Sequence, residues 1–199
     1  MTSVVRVPLS SLPFNQKEAL RYAGAVLTDE LSDLIISCRC ELEGIATPMI
    51  CGTIVPVSIT DDEIKLSAFT LNSRNLAKNL RGCSSALIFA ATLGIGVDRT
   101  IFAASRTSPS KAVLLQGAAA EGIEALCDAA EERFIGVSPS RPRFSPGYGD
   151  LSLEAQRVIF SLLSPEKHIG LTLNESLMLS PSKSVTAIVG ICDEGVNNA

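Results

Sequence analysis

Tryptophan is absent from this 199-residue sequence, histidine occurs once (His168), and aromatic residues make up only 5% of it. A lone histidine excludes paired-histidine zinc sites, and none of the six cysteines stands in a CxxC pair, so zinc-finger and iron–sulfur spacings are missing as well. Scattered at 38, 40, 51, 83, 127 and 192, the cysteines read as small apolar fillers. There is no phosphate-cradling GxxxxGK(S/T) run, no GxSxG nucleophile elbow and no HExxH helix. Gly94-Ile95-Gly96 opens like a dinucleotide fingerprint, but Arg99 stands where the third glycine belongs. A cysteine–histidine nucleophile could use only His168, no cysteine is paired with it by spacing, and a structural or surface role is the plainer reading.

Positive charge is also scarce. Lys and Arg number 17 against 21 acidic residues, for a net charge of −4, and no basic run stands out. That argues against a duplex nucleic-acid partner, whose phosphates need clustered cations. The longest strongly apolar stretches, Ala86 to Leu93 and Ala112 to Ala120, are too short to span a bilayer. The start, Met1-Thr2-Ser3-Val4-Val5-Arg6-Val7-Pro8, lacks the charged and apolar regions of a signal peptide. The expectation is a cytoplasmic protein with no membrane association. The 46% apolar content is ample for a core, and the length suits one domain over 1–199.

The pattern of elements follows from caps and periodicity. Val4 to Val7 reads as a strand. Asn15 caps a helix over 16–23, and Thr28 caps an amphipathic one carrying Leu31, Leu34, Ile35, Cys38 and Leu42. Residues 51–59 read as a strand, Asp61-Asp62 as a turn and 64–69 as its hairpin partner. Ser73 caps a helix over 74–80, 85–91 is a buried strand, and helices follow over 97–105 and 110–134. The last of these carries Gly117 and Gly122, which cost helix propensity but allow another backbone to come close. Ser152 caps a helix to Leu163, His168 falls in a loop, 177–179 is a short extended piece, and 185–192 is a strand. Strands and helices do not alternate cleanly, so the expected class is α+β with an antiparallel sheet.

Residues 136–150 hold three prolines and three glycines and read as a linker or a functional loop. Within them, Arg143 offers a planar fork of donors suited to a carboxylate. Pro146 and Gly147 suit a tight turn that bares backbone groups, and Tyr148 offers an aromatic face to a sulfonium or other cation. The bland alternative is a surface turn with a packed tyrosine.

Arg143-Phe144-Ser145-Pro146-Gly147-Tyr148 resembles the R-x-x-P-G-Y loop in the activation domain of cobalamin-dependent methionine synthase. Glu166-Lys167-His168-Ile169-Gly170, Leu173-Asn174-Glu175-Ser176 and Ser184-Val185 follow in that family's order, so the densest likeness covers residues 141–190. Thr92-Leu93-Gly94 with Val97-Asp98 extends it more weakly to about residue 73, while no motif places 1–72. The resemblance implies a stand-alone reactivation domain of methionine biosynthesis that binds S-adenosylmethionine and assists reductive methylation of cob(II)alamin. The cobalamin would be held by a partner methionine synthase chain or related corrinoid protein, with an unknown reductase as electron donor. The chain would be an accessory component of that methyltransferase, inactive alone. Carried over by residue, Arg143 would bind the donor's carboxylate, while Pro146, Gly147 and Tyr148 would shape the loop between donor and corrinoid. Glu124 would be an acid near the site, although Glu121, Glu124, Asp128 and Glu131 also read as an ordinary solvated helix stripe. Two departures stand out: Val189 and Gly190 occupy positions where the family has aromatics, and its N-terminal donor-binding aspartate has no counterpart. The missing aromatics favour a second reading, a docking module for a corrinoid protein that makes no use of the methyl donor, while Arg143 with Tyr148 favours the first.

Overall fold

Side-chain caps set the first three helices of the computed structural model, which describes residues 2–192. Residue 1 and residues 193–199 of the domain read from the sequence lie outside the described residues. Asn15 accepts the Glu18 amide at 3.2 Å at the start of α1 (Gln16–Tyr22), and Thr28 accepts the Leu31 amide at 3.3 Å at the start of α2 (Asp29–Glu43). Ser73 accepts the Leu76 amide at 3.0 Å at the start of α3 (Arg74–Asn79). Each satisfies one amide that the first helical turn leaves unpaired. The later helices are α4 (Ile95–Thr107), α5 (Pro109–Ile135), α6 (Ala155–Leu163) and α7 (Pro165–Ile169).

The strands are β1 (Ser3–Arg6), β2 (Met49–Thr60), β3 (Glu63–Leu66), β4 (Phe69–Asn72), β5 (Cys83–Thr92), β6 (Thr172–Leu173), β7 (Leu179–Ser180) and β8 (Ser184–Cys192). The fold is α+β with an antiparallel main sheet, in the order β4-β3-β2-β5-β8, and β6 and β7 form a separate hairpin. β2 is long enough to serve two neighbours on one side, β1 along Met49–Gly52 and β3 along Val57–Thr60, while β5 pairs with its other side. Between those two neighbours, residues 53–55 have no strand on that side among the described residues, and the gap ends at Pro56, whose carbonyl accepts from the Ser67 amide at 3.5 Å.

β5 is buried on both faces. Leu87, Phe89 and Ala91 join Leu20, Ile35, Leu42, Leu115 and Leu126 in a core with α1, α2, α4 and α5. Ala86, Ile88 and Ala90 join Leu76, Leu80, Ile159 and Leu163 in a second core beneath α3, α6 and α7. The small residues of α5 act as the sequence suggests. A Cβ at Gly117 would stand 2.3 Å from the Ala19 carbonyl oxygen, so α1 rests directly on the α5 backbone.

The structure departs from the sequence reading at five places, one of them 177–179, where Leu177 adopts a φ of 62° and β7 begins only at Leu179. The strand over 64–69 is two strands, because Ser67 adopts a φ of 57° and turns the chain back into β4. His168 lies in the short helix α7, exposed, and not in a loop. Ser152 does accept the Glu154 amide at 3.2 Å, but regular helix begins only at Ala155. Residues 136–150 are not a free linker. They run beside β8, with Arg141 N–H donating to Gly190 O at 2.8 Å and Phe144 exchanging bonds with Ile188 at 2.8 and 2.9 Å.

Candidate functional site

The edge contact with β8 delivers Arg143 to the side of α5. Its Nη1 donates to Asp128 at 2.7 Å and Glu131 at 2.6 Å, and its Nη2 to Glu124 at 2.8 Å. Glu121, Glu124, Asp128 and Glu131 follow one another at spacings of three, four and three, on one face of the helix. The stripe is therefore not simply solvated: Arg143 gathers three of its members, and Glu121 is buried at 6% exposure. Burial alone would lower the Arg143 pKa. Bonds to Asp128, Glu131 and Glu124 outweigh it and hold the guanidinium above its usual value.

Glu121 organises the opposite wall. One oxygen accepts the Asn15 amide at 2.9 Å, and the other faces Arg39 at 3.4 Å. Arg39, 3% exposed, also donates to the carbonyls of Leu9 and Leu12, pairs with Glu43 at 2.9 Å, and lies 5.1 Å from the centre of the Phe14 ring. Burial raises the Glu121 pKa, while the Asn15 amide and Arg39 oppose the rise.

Between Arg143 and this wall lies a cavity of about 840 Å³, whose lining includes Phe14, Asn15, Tyr22, Glu121, Glu124 and Arg143. Its charged lining comprises Glu18, Glu121, Glu124 and Asp128 against Lys17 and Arg143, an excess of negative charge. Such a cavity suits a ligand that is cationic at one end and has a flat face for Phe14 or Tyr22.

Tyr148 N–H donates to Ser145 O at 3.1 Å, closing a β-turn with Pro146 second and Gly147 third at a φ of +88°. This is the type II pattern, which only glycine adopts freely at the third place. Asp150 fastens the turn's far end by accepting from Ser73 Oγ at 2.5 Å and from the Arg74 and Asn75 amides at 2.9 and 3.1 Å. Tyr148 meets Phe144 edge-on, with ring centres 6.5 Å apart, and is 71% exposed. Of the residues singled out in the sequence, Arg143 and Glu124 meet in the cavity wall, whereas Pro146, Gly147 and Tyr148 stand on the loop beyond the cavity lining.

One solved structure, described as the crystal structure of the MetH reactivation domain bound to AdoHcy, matches 100% of this chain and 81% of its own, with a TM-score of 0.78 and 16% sequence identity. The chain has the MetH reactivation-domain fold. No family model matches the sequence, and no curated protein does.

Within this reactivation-domain fold, Val189 is fully buried in the core beside α5, and Gly190 is wedged where a Cβ would meet Cys83 Sγ at 2.7 Å and Leu80 at 2.8 Å. Neither lines the cavity, and position 190 has no room for an aromatic ring. The residues that the sequence reading missed are Phe14, Asn15 and Tyr22 opposite Arg143. Asn15 was legible only as a helix cap, because its bond to Glu121 spans 106 positions. No helix among the described residues of this reactivation-domain fold is long and apolar enough to cross a membrane.

Proposed function

We propose that this chain, as one domain in the cytoplasm, binds S-adenosylmethionine in the Arg143 cavity and serves as a reactivation component for cobalamin-dependent methionine synthase. The observation that carries the reading is the cavity with excess negative charge that joins Arg143 and Glu124 to the rings of Phe14 and Tyr22. About 840 Å³ lies within the range of small-molecule sites, roughly 300–1,000 Å³. A solved structure of the same fold is described as bound to AdoHcy.

In this reading the acids of α5 face the ammonium and sulfonium groups, and Arg143 exchanges one of its own carboxylates for that of the ligand. Phe14 or Tyr22 meets the adenine face. Tyr148, exposed on the turn, marks the side turned toward the corrinoid. Cobalamin on a partner chain supplies the cobalt that accepts the methyl group, and an unidentified reductase supplies the electron.

Calorimetric titration of the purified chain tests the proposal. Saturable one-site binding of S-adenosylmethionine, and of S-adenosylhomocysteine, is expected, without conversion of homocysteine to methionine by the chain alone. A flat titration rejects it. The second reading, a docking module without a methyl donor, then moves ahead. What favours it is that Arg143 is already surrounded by three acids and that Val189 and Gly190 place no aromatic at the cavity.

A further inference from the structure

Away from that cavity, two thiols face each other across the sheet. Cys83 and Cys192 are cross-strand partners on β5 and β8, with their sulfurs 3.3 Å apart, and both are free thiols. A disulfide joins sulfurs at about 2.05 Å and takes Cα separations of roughly 4.4–6.8 Å, a range that covers residues directly opposite on antiparallel strands, so the two thiols are placed to close. Gly190 leaves the room that the Cys83 sulfur occupies, since a Cβ there would come within 2.7 Å of it.

The second observation is a separate cavity of about 680 Å³ that reaches Cys83. Arg74, Lys78 and Arg81 line it, against Asp61 and Asp62. Arg74 and Asp62 pair at 3.4 Å, which leaves Lys78 and Arg81 as the stronger attraction for an anion. This is an unusual setting for cysteines that serve only as apolar filler, because a cationic approach leads to one member of a preassembled pair.

We propose that Cys83 and Cys192 are a reversible thiol–disulfide pair that exchanges with small anionic disulfides entering through the cavity of Arg74, Lys78 and Arg81. The Cys83 thiolate attacks one sulfur of the small disulfide, forming a mixed disulfide and expelling the other half as a thiolate. The Cys192 thiolate then attacks Cys83 Sγ, closing the protein disulfide and expelling the second half. Each protein thiol gives up its proton to solvent or to a leaving thiolate; the pair loses two electrons and the small disulfide gains them. Burial and the neighbouring Cys192 push the Cys83 thiol up to about 11, against the opposing hydrogen bond from Arg141, so exchange is slow beside that of an exposed thiol.

The pair also sits at the root of the candidate loop. Cys192 N–H donates to Pro139 O at 2.8 Å, and Arg141 N–H to Gly190 O at 2.8 Å, two residues before Arg143. Oxidation would fix this end of β8 and the segment that it holds.

The test is to incubate the reduced full-length chain with oxidised glutathione, quench by alkylation, and read intact mass and peptide map. The expected product is two hydrogens lighter, has four reactive thiols where the reduced chain has six, and yields a Cys83–Cys192 crosslinked peptide that dithiothreitol removes. Cys192→Ser should instead trap glutathione on Cys83. Absence of the crosslinked peptide from the native chain, or its appearance only in denaturant, overturns the pairing, and neither readout depends on a variant folding. Cationic cystamine at low salt should react severalfold more slowly than glutathione disulfide. Equal rates overturn the role of the basic cavity.

Discussion

Arg143 holds three carboxylates of its own chain within 2.6–2.8 Å, so its replacement acts in two ways. Losing a charge-assisted contact costs on the order of 1.5–3 kcal/mol, and Arg143→Ala should weaken S-adenosylmethionine binding roughly 10- to 150-fold by calorimetry. It also leaves Glu124, Asp128 and Glu131 facing one another without a cation, each such pair costing a few tenths of a kcal/mol on a helix. The melting midpoint should therefore fall by a few degrees while the circular dichroism of the folded state is kept. Arg143→Lys should recover part of the binding, since an ammonium lacks the planar fork. Parent-like affinity in Arg143→Ala would remove the residue from the site. The sequence pointed to this arginine because R-x-x-P-G-Y is a local signal. It could not supply the Asp128 and Glu131 contacts, which depend on how the loop lies against α5.

The contact between α1 and α5 positions the other wall. Gly117→Val would drive a side chain into the Ala19 carbonyl oxygen and push α1, with Tyr22, away from α5. Overpacking of this kind costs about 1–3 kcal/mol, or roughly 2–12 °C in melting temperature for a chain of this size. Ligand affinity should fall with it, and a variant as stable and as tight as the parent would contradict the close approach. At this scale the sequence was most informative where a cap or a period acts locally: Asn15, Thr28 and Ser73 each open a helix, and 85–91 lies within a strand buried from Ala86 to Thr92. It failed where the deciding contact is distant or conformational. Ser67 turns at positive φ without being glycine, and residues 136–150 owe their course to β8. The first 72 residues carry no motif, yet they build the wall opposite Arg143, because Glu121 and Arg39 tie them there.

At the scale of the whole molecule, a two-faced central sheet lets separate helix sets carry separate tasks. α1 and α5 frame the cavity with Arg143, while α3 and the end of β8 frame the thiol pair. The gap beside residues 53–55, which ends at Pro56, has a consequence for how copies of the chain meet. An open stretch of strand edge is a template for another chain, and Ile54, 48% exposed, sits in it. Proline has no N–H to offer an incoming strand, so Pro56 shortens the usable edge. Pro56→Val should restore that donor and increase concentration-dependent self-association in light scattering coupled to size exclusion, with secondary structure unchanged. A variant that stays at the parent's mass across the same concentrations would show the edge to be harmless. Pro56 would thus be a guard on solubility, placed where one long strand has to serve two short neighbours.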